Sequence, residues 1–203
     1  MLAQRRFGKR VNAALAIAAL FTLAACGGSP HGRPASGGYR PVADTPVKIG
    51  PAYTVRATTY TPRADPSYDR LGYASWYGPE SGSTTANGER FRPDGVSAAH
   101  TTLPLPTYAE VTSLDSGRTI LVRINDRGPF ATGKGLIVDL SRGAAEQLGI
   151  RRQGIAAVRL RVVEPPQSDK QRLREGAPAP ERRRLSESEL QRLRARLERA
   201  RVR

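Results

Sequence analysis

The chain has 203 residues, a formal net charge of +15 and a hydrophobic share of 38%. One cysteine excludes an intramolecular disulfide, and two histidines with scattered carboxylates lack the ligand spacing of a metal site. No Gly-rich phosphate loop and no Gly-x-Ser-x-Gly elbow occurs, so neither a metal nor a cofactor is expected.

Residues 1–25 read as an export signal. Arg5, Arg6, Lys9 and Arg10 form a basic start, Val11 to Leu23 is mostly apolar, and small residues precede Cys26. The apolar run is short for a stable membrane span. Leu23-Ala24-Ala25-Cys26 resembles the bacterial lipobox, which predicts acylation of Cys26 and a membrane held through the lipid. More than one acyl chain makes such attachment durable. Position 27 is Gly and not Asp, so the resemblance points to the outer membrane, facing the periplasm. Removing the four basic residues with the signal leaves +11 on the side chains. Export argues against nucleic acid as a partner, and no aromatics interleave with the tail's arginines for base stacking. An anionic envelope polymer or lipid headgroup fits the charge better.

Residues 26–70 hold Cys26 and then a stretch rich in Pro, Gly, Ser and Thr. They read as a largely disordered tether with an r.m.s. reach of about 30–40 Å. Tyr53 to Tyr60 alternates and offers an edge strand as the lesser reading.

Residues 71–164 read as one small, mostly β domain. Strands are predicted over Leu71–Tyr77, Tyr108–Ser113, Thr119–Asn125, Ile137–Asp139 and Ala156–Val163. A short helix is predicted from Ser141, which can cap it, to Gly149, which can end it. Short strands, regular turns and one helix point to a small closed β-barrel. Residues 165–203 are basic and partly helical. Ser186 and Glu189 form a capping box, and Leu190, Leu193 and Leu197 follow at helical spacing. Three leucines make a narrow stripe, so a solvated helix is expected there and not a docked one.

The most informative stretch is Asn125-Asp126-Arg127-Gly128-Pro129-Phe130, directly after the apolar run Thr119 to Ile124. A carboxylate at a strand end, held by a stiff Gly-Pro turn, is how a barrel presents chemistry at its rim. Its neighbours Arg123 and Arg127 favour an ionised aspartate. A turn-capping role for Asp126 stands beside the catalytic one.

Six blocks in order resemble one family. They are Gly72-Tyr73-Ala74-Ser75-Trp76-Tyr77-Gly78, Thr85-Ala86-Asn87-Gly88-Glu89, Ala98-Ala99-His100, Val122 to Phe130, Val138-Asp139-Leu140-Ser141 and Ala144 to Gly149. Together they are similar to the rare lipoprotein A family of bacterial envelope proteins. The resemblance implies a six-stranded double-psi β-barrel, one or two short helices and periplasmic work on peptidoglycan glycan strands. Characterised members are lytic transglycosylases that prefer strands without stem peptides and leave 1,6-anhydro-muramic ends. By this resemblance Asp126, Glu89 and His100 are the candidate catalytic residues. Either carboxyl stands as the acid, and His100 is read more readily as orienting a loop carboxylate. Arg127, Tyr77, Asn87 and Asn125 are the candidate substrate-binding residues, and Asp139 is read as structural. Residues 79–84 lack the aromatic and the basic residue that family members carry there. A monomeric, non-catalytic, expansin-like binding module is therefore the second reading, to a monomeric enzyme as the first.

Overall fold

The computed structural model describes residues 43–131 and 135–201. The signal, Cys26 and tether residues 26–42 lie outside the described residues. Two short strands, β1 (Tyr53–Val55) and β2 (Thr58–Tyr60), form a hairpin ahead of the barrel. The barrel strands are β3 (Asp69–Tyr77), β4 (Ser97–Ala99), β5 (Thr107–Ser113), β6 (Thr119–Asp126), β7 (Leu136–Ser141) and β8 (Ala156–Val162). They close in the order β3-β7-β4-β6-β5-β8. The β3–β7 and β4–β6 pairs are parallel and the other four antiparallel. This is the six-stranded barrel expected. Closure leaves no free sheet edge among these strands.

Alternation fills the barrel. Ala74, Ala98, Ile120, Val122, Val138, Leu140, Val158 and Leu160 turn inward and are at most 3% exposed. Most are β-branched or small, which suits the tight interior of a six-stranded barrel. Helix α1 (Arg142–Leu148) starts on Ser141, whose Oγ accepts from the Ala144 amide at 3.2 Å and donates to the Gly95 carbonyl at 2.6 Å. Gly149 ends it in the left-handed region, at φ 87°. Gly143 lies so close to the Asp94 carbonyl that a Cβ there would sit 2.3 Å from it.

Three expectations need correction. First, β4 was not among the predicted strands. It is three residues long, too short to show alternation, and it exists only because β6 and β7 pair with both its edges. Second, the tether does not run disordered to residue 70. Residues 43–68 form a strap on the barrel, fixed by contacts that composition does not reveal. Asp44 pairs with Arg123 Nε at 3.0 Å and accepts from the Tyr108 hydroxyl at 2.8 Å. Lys48 and Leu105 exchange two backbone hydrogen bonds. The β1–β2 hairpin stacks Tyr53 on Tyr60 and sets both against Phe130.

Third, the C-terminal segment packs on the barrel. Helix α2 (Gln167–Arg174) follows Pro166 and buries Leu173 and Asp169, the latter paired with Arg182 at 2.8 Å. One apolar residue gives no periodicity, so this helix was not legible. Helix α3 (Glu187–Arg201) starts with the predicted capping box. Its Leu190, Leu193 and Leu197 are buried with Leu114 against Leu71, Tyr73 and Ala157. The narrow stripe suffices because the outer faces of β3 and β8 offer a matching apolar strip.

Candidate active site

A β-bulge aims Asp126. On β6, Arg123 pairs with Ser97 and Ile124 with Ala98, but the next partner of β4 is Asp126, opposite Ala99. The register skips Asn125. Without the skip, strict alternation from inward Ile124 would turn Asp126 inward too. With it, Asp126 stands on the outer face beside Ala99. Its Oδ1 accepts from the Ala86 and Arg127 amides, both at 2.8 Å. Oδ2 accepts no hydrogen bond among the described residues. Gly128 follows with φ 144°, and a Cβ there would lie 3.6 Å from the Ala99 methyl.

Burial pushes the Asp126 carboxyl above its ordinary range, against the opposing pull of the two amides and of Arg127. This corrects the expectation that neighbouring arginines hold it ionised. Arg127 aims its guanidinium at the carbonyls of His100 (3.2 Å), Leu103 (2.5 Å) and Ile49 (3.1 Å). Arg123 turns instead to Glu89 and Asp44. Arg127 therefore ties the strap to the site loop through Nη1 and Nη2, where sugar hydrogen bonds were expected.

Glu89 is not at the open rim. It is 2% exposed and takes Arg123 Nη1 on both oxygens at 2.6 Å, Asn87 Nδ2 at 2.7 Å and Asn125 Nδ2 at 2.8 Å. All these partners donate, an arrangement suited to an acceptor carboxylate and not to a proton donor. Asn87 and Asn125, expected on substrate, are thus spent on Glu89, and both are buried. Sequence order hid this, because the loop at 85–89 meets β6 only after the barrel closes.

His100 is 3% exposed. Its Nδ1 accepts from the Thr102 and Leu103 amides at 3.1 and 3.0 Å, and its Nε2 meets the Tyr68 hydroxyl at 3.1 Å. Burial, with Arg127 adding to it, lowers its pKa to about 4. A neutral ring with Nδ1 accepting twice carries its proton on Nε2, which meets the Tyr68 hydroxyl, and folds its own loop. The carboxylate it was expected to orient is not among its hydrogen-bond partners.

Tyr77 stacks on Phe91 at 4.7 Å and 14°, with Ala99 beneath, and is 8% exposed. It belongs to a packed aromatic cluster and is not an open sugar platform. Trp76 donates from Nε1 to the Arg151 carbonyl at 3.1 Å and packs on the core.

Asp139 completes the face. It pairs with Ser75 on β3 and with Ala99 on β4. Ser75 Oγ donates to its Oδ1 at 2.8 Å. Its carboxyl is raised to about 6, chiefly by burial and also by the nearby Asp126 and Glu80 charges, with Ser75 pulling the other way. Reading it as a structural residue missed that Ala99 has Asp126 on one side and Asp139 on the other. The alternation of Val138, Asp139 and Leu140, with the apolar pair turned in, was the available signal. Among the described residues no cluster of His, Cys, Asp and Glu is arranged to hold a metal ion.

Comparison with known proteins agrees with this architecture. A family profile described as lytic transglycolase matches residues 70–160. The endolytic peptidoglycan transglycosylase RlpA of Pseudomonas aeruginosa (strain UCBPP-PA14) is 47% identical over 136 residues, covering 66% of this chain and 38% of that protein. The protein of the same name from Yersinia pestis is 48% identical over 100 residues, covering 48% of this chain and 27% of that protein. The chain thus spans well under half the length of these curated relatives. Among solved structures, a Streptomyces papain inhibitor superposes with a TM-score of 0.41 at 20% identity, over 50% of this chain and all of that one.

Proposed function

The barrel of this chain belongs to the RlpA-like lytic transglycolase family of double-psi β-barrels, and from that premise we propose that it cleaves peptidoglycan glycan strands without water. The bond cut joins N-acetylmuramic acid C1 to the O4 of N-acetylglucosamine. A carboxylic acid protonates the leaving oxygen, and the muramic acid C6 hydroxyl closes on C1 to give a 1,6-anhydro end. One carboxyl group can perform both proton transfers in turn, so water has no place in the step.

One observation carries this reading: Asp126 sits on the outer face with Oδ1 pinned by two amides and Oδ2 free of protein partners among the described residues. Burial raises its pKa toward the range in which a carboxyl can exchange a proton with substrate. Glu89, Asn87, Asn125 and Arg123 act behind it as a buried frame that fixes the 85–89 loop, whose Ala86 amide holds Asp126. His100 fixes the loop on the other side. These are positioning roles. The enzyme works as a monomer on strands without stem peptides, anchored through lipidated Cys26 at the periplasmic face of the outer membrane.

The test is mass spectrometry of stem-free glycan strands after incubation with the purified chain. New anhydro-muramic ends that vanish in Asp126→Asn are expected. Binding without new ends in the wild type would overturn the reading and leave the binding module. That alternative draws on residues 79–84, all exposed and without an aromatic. For the anchor, Cys26→Ser should release the protein from the membrane fraction; unchanged fractionation would remove the lipid from the account.

A further inference from the structure

We propose that Asp139 is a second catalytic carboxyl of this groove, protonating the leaving oxygen while Asp126 accepts the proton of the attacking hydroxyl. The inference rests on the glycan-cleaving reading above and divides its two proton transfers between two residues.

The placement comes from the sheet. Asp126 on β6 and Asp139 on β7 stand opposite the same residue, Ala99, on the strand between them. Residues directly opposite share a face, and neighbouring strands are about 4.8 Å apart. The two backbones therefore lie roughly 10 Å apart, and the slot between their carboxyls is floored by Tyr77 and Phe91, which cover Ala99. Paired carboxyls on either side of a scissile glycosidic bond are the usual means of moving two protons in such chemistry.

The two sides of the slot differ in chemistry. Asp126 receives two backbone amides on Oδ1, which favour its charged form. Asp139 receives one hydroxyl, from Ser75, and no backbone amide among the described residues. The titratable groups acting on Asp139 are Asp126 at the end of β6 and Glu80 in the turn after β3, both acidic. Tyr77 of β3 lies beside both aspartates, with its buried hydroxyl near them and near Ser97. No described cation is among the influences on Asp139, whereas Arg127 acts on Asp126. Burial raises both carboxyls, but only Asp126 has amides and an arginine opposing the rise, so Asp139, raised to about 6, is the better proton donor of the two.

The step balances. The C1–O4 bond breaks as the Asp139 proton moves to O4, and the C1–O6 bond forms as the C6 hydroxyl proton moves to Asp126. Asp139 ends as carboxylate and Asp126 as acid. One proton passed from Asp126 to Asp139 through solvent restores the start, with no co-reactant.

The experiment combines product analysis with a titration. Formation of anhydro ends is followed against pH for the wild type, Asp139→Asn and Ser75→Ala. Carbon-13 carboxyl shifts of the aspartates are titrated in the same chains and in Asp126→Asn. Asp139→Asn should lower turnover at least about 100-fold while glycan binding is kept. Ser75→Ala removes the bond that favours charged Asp139, so the alkaline limb of the rate profile should move up in pH. The Asp139 midpoint should lie near 6 in the wild type and fall in Asp126→Asn. Turnover within about threefold of wild type in Asp139→Asn, or an alkaline limb unmoved in Ser75→Ala, would overturn the assignment while leaving the glycan-cleaving reading intact. A wild-type chain that makes no ends at any pH would instead bring down that reading, and this one with it.

Discussion

Arg123 holds two carboxylates from opposite directions, Glu89 through Nη1 and Asp44 through Nε, and is 1% exposed. Removing one partner of a buried pair strands the other charge. Arg123→Met is therefore expected to destabilise the fold by about 3–5 kcal/mol in urea unfolding. His100 and Asp139 give the chain opposite pH signatures. The folded pKa of His100, about 4, lies below the ordinary 6.5, so the unfolded state takes up a proton first. That stability is complete above pH 6.5 and is lost as pH falls toward 4. It amounts to about 3 kcal/mol and should be absent from the pH dependence of His100→Gln. Asp139 has the reverse shift, from 3.8 up to about 6, so its burial costs stability once it ionises. Asp139→Asn should raise stability at pH 7 by about 1–3 kcal/mol, a gain that disappears below about pH 4. Gain of stability with loss of turnover is the mark of a functional carboxyl. A stability loss at pH 7 would identify Asp139 as structural.

At the scale of elements, α3 is held by leucines on one face and by Arg194 to the Leu114 carbonyl at 2.8 Å. Leu193→Asp should release the helix without opening the barrel. Amide exchange over 187–201 should rise by orders of magnitude while β5 and β6 stay protected. If the barrel amides exchange together with the helix, α3 is part of one cooperative unit. Strands β3, β5, β6, β7 and β8 were legible because each carries enough β-branched or alternating apolar residues to announce a half-buried surface. Strand β4 and helix α2 were not, since one has three residues and the other a single buried leucine. The hairpin at 53–60 had an alternating pattern, but its aromatics bury themselves only against Phe130, 70 residues later.

At the scale of the whole molecule, the charge of +15 has an outlet in the exposed Arg192, Arg196 and Arg199 of α3. Electrostatic attraction to an anionic wall or lipid surface is screened over about 10 Å at 0.1 M salt and about 3 Å at 1 M. Retention on isolated sacculi should fall several-fold between about 0.05 and 0.5 M salt. The anhydro ends formed per bound chain should not change, because no α3 arginine is among the groups acting on Asp126 or Asp139. Equal retention at both salts would show that the groove alone holds the polymer.

The amino-acid sequence by itself determined the barrel, its helix α1 with both caps, and the strand-end position of Asp126. These follow from local pattern: apolar alternation, Ser141 and Gly149 at the helix ends, and Gly128-Pro129 stopping β6. Only the tertiary structure decided what each polar residue does. Glu89, His100, Asn87, Asn125 and Arg127 all lie in motifs that look functional, and the fold sets each in hydrogen bonds to other parts of the chain. Asp139 looked structural, and the sheet sets it opposite Ala99 from Asp126. The reason is that a side chain's chemistry depends on solvent and partners. Those are set by which strands become neighbours and by a one-residue bulge at Asn125, and neither can be read from spacing along the chain.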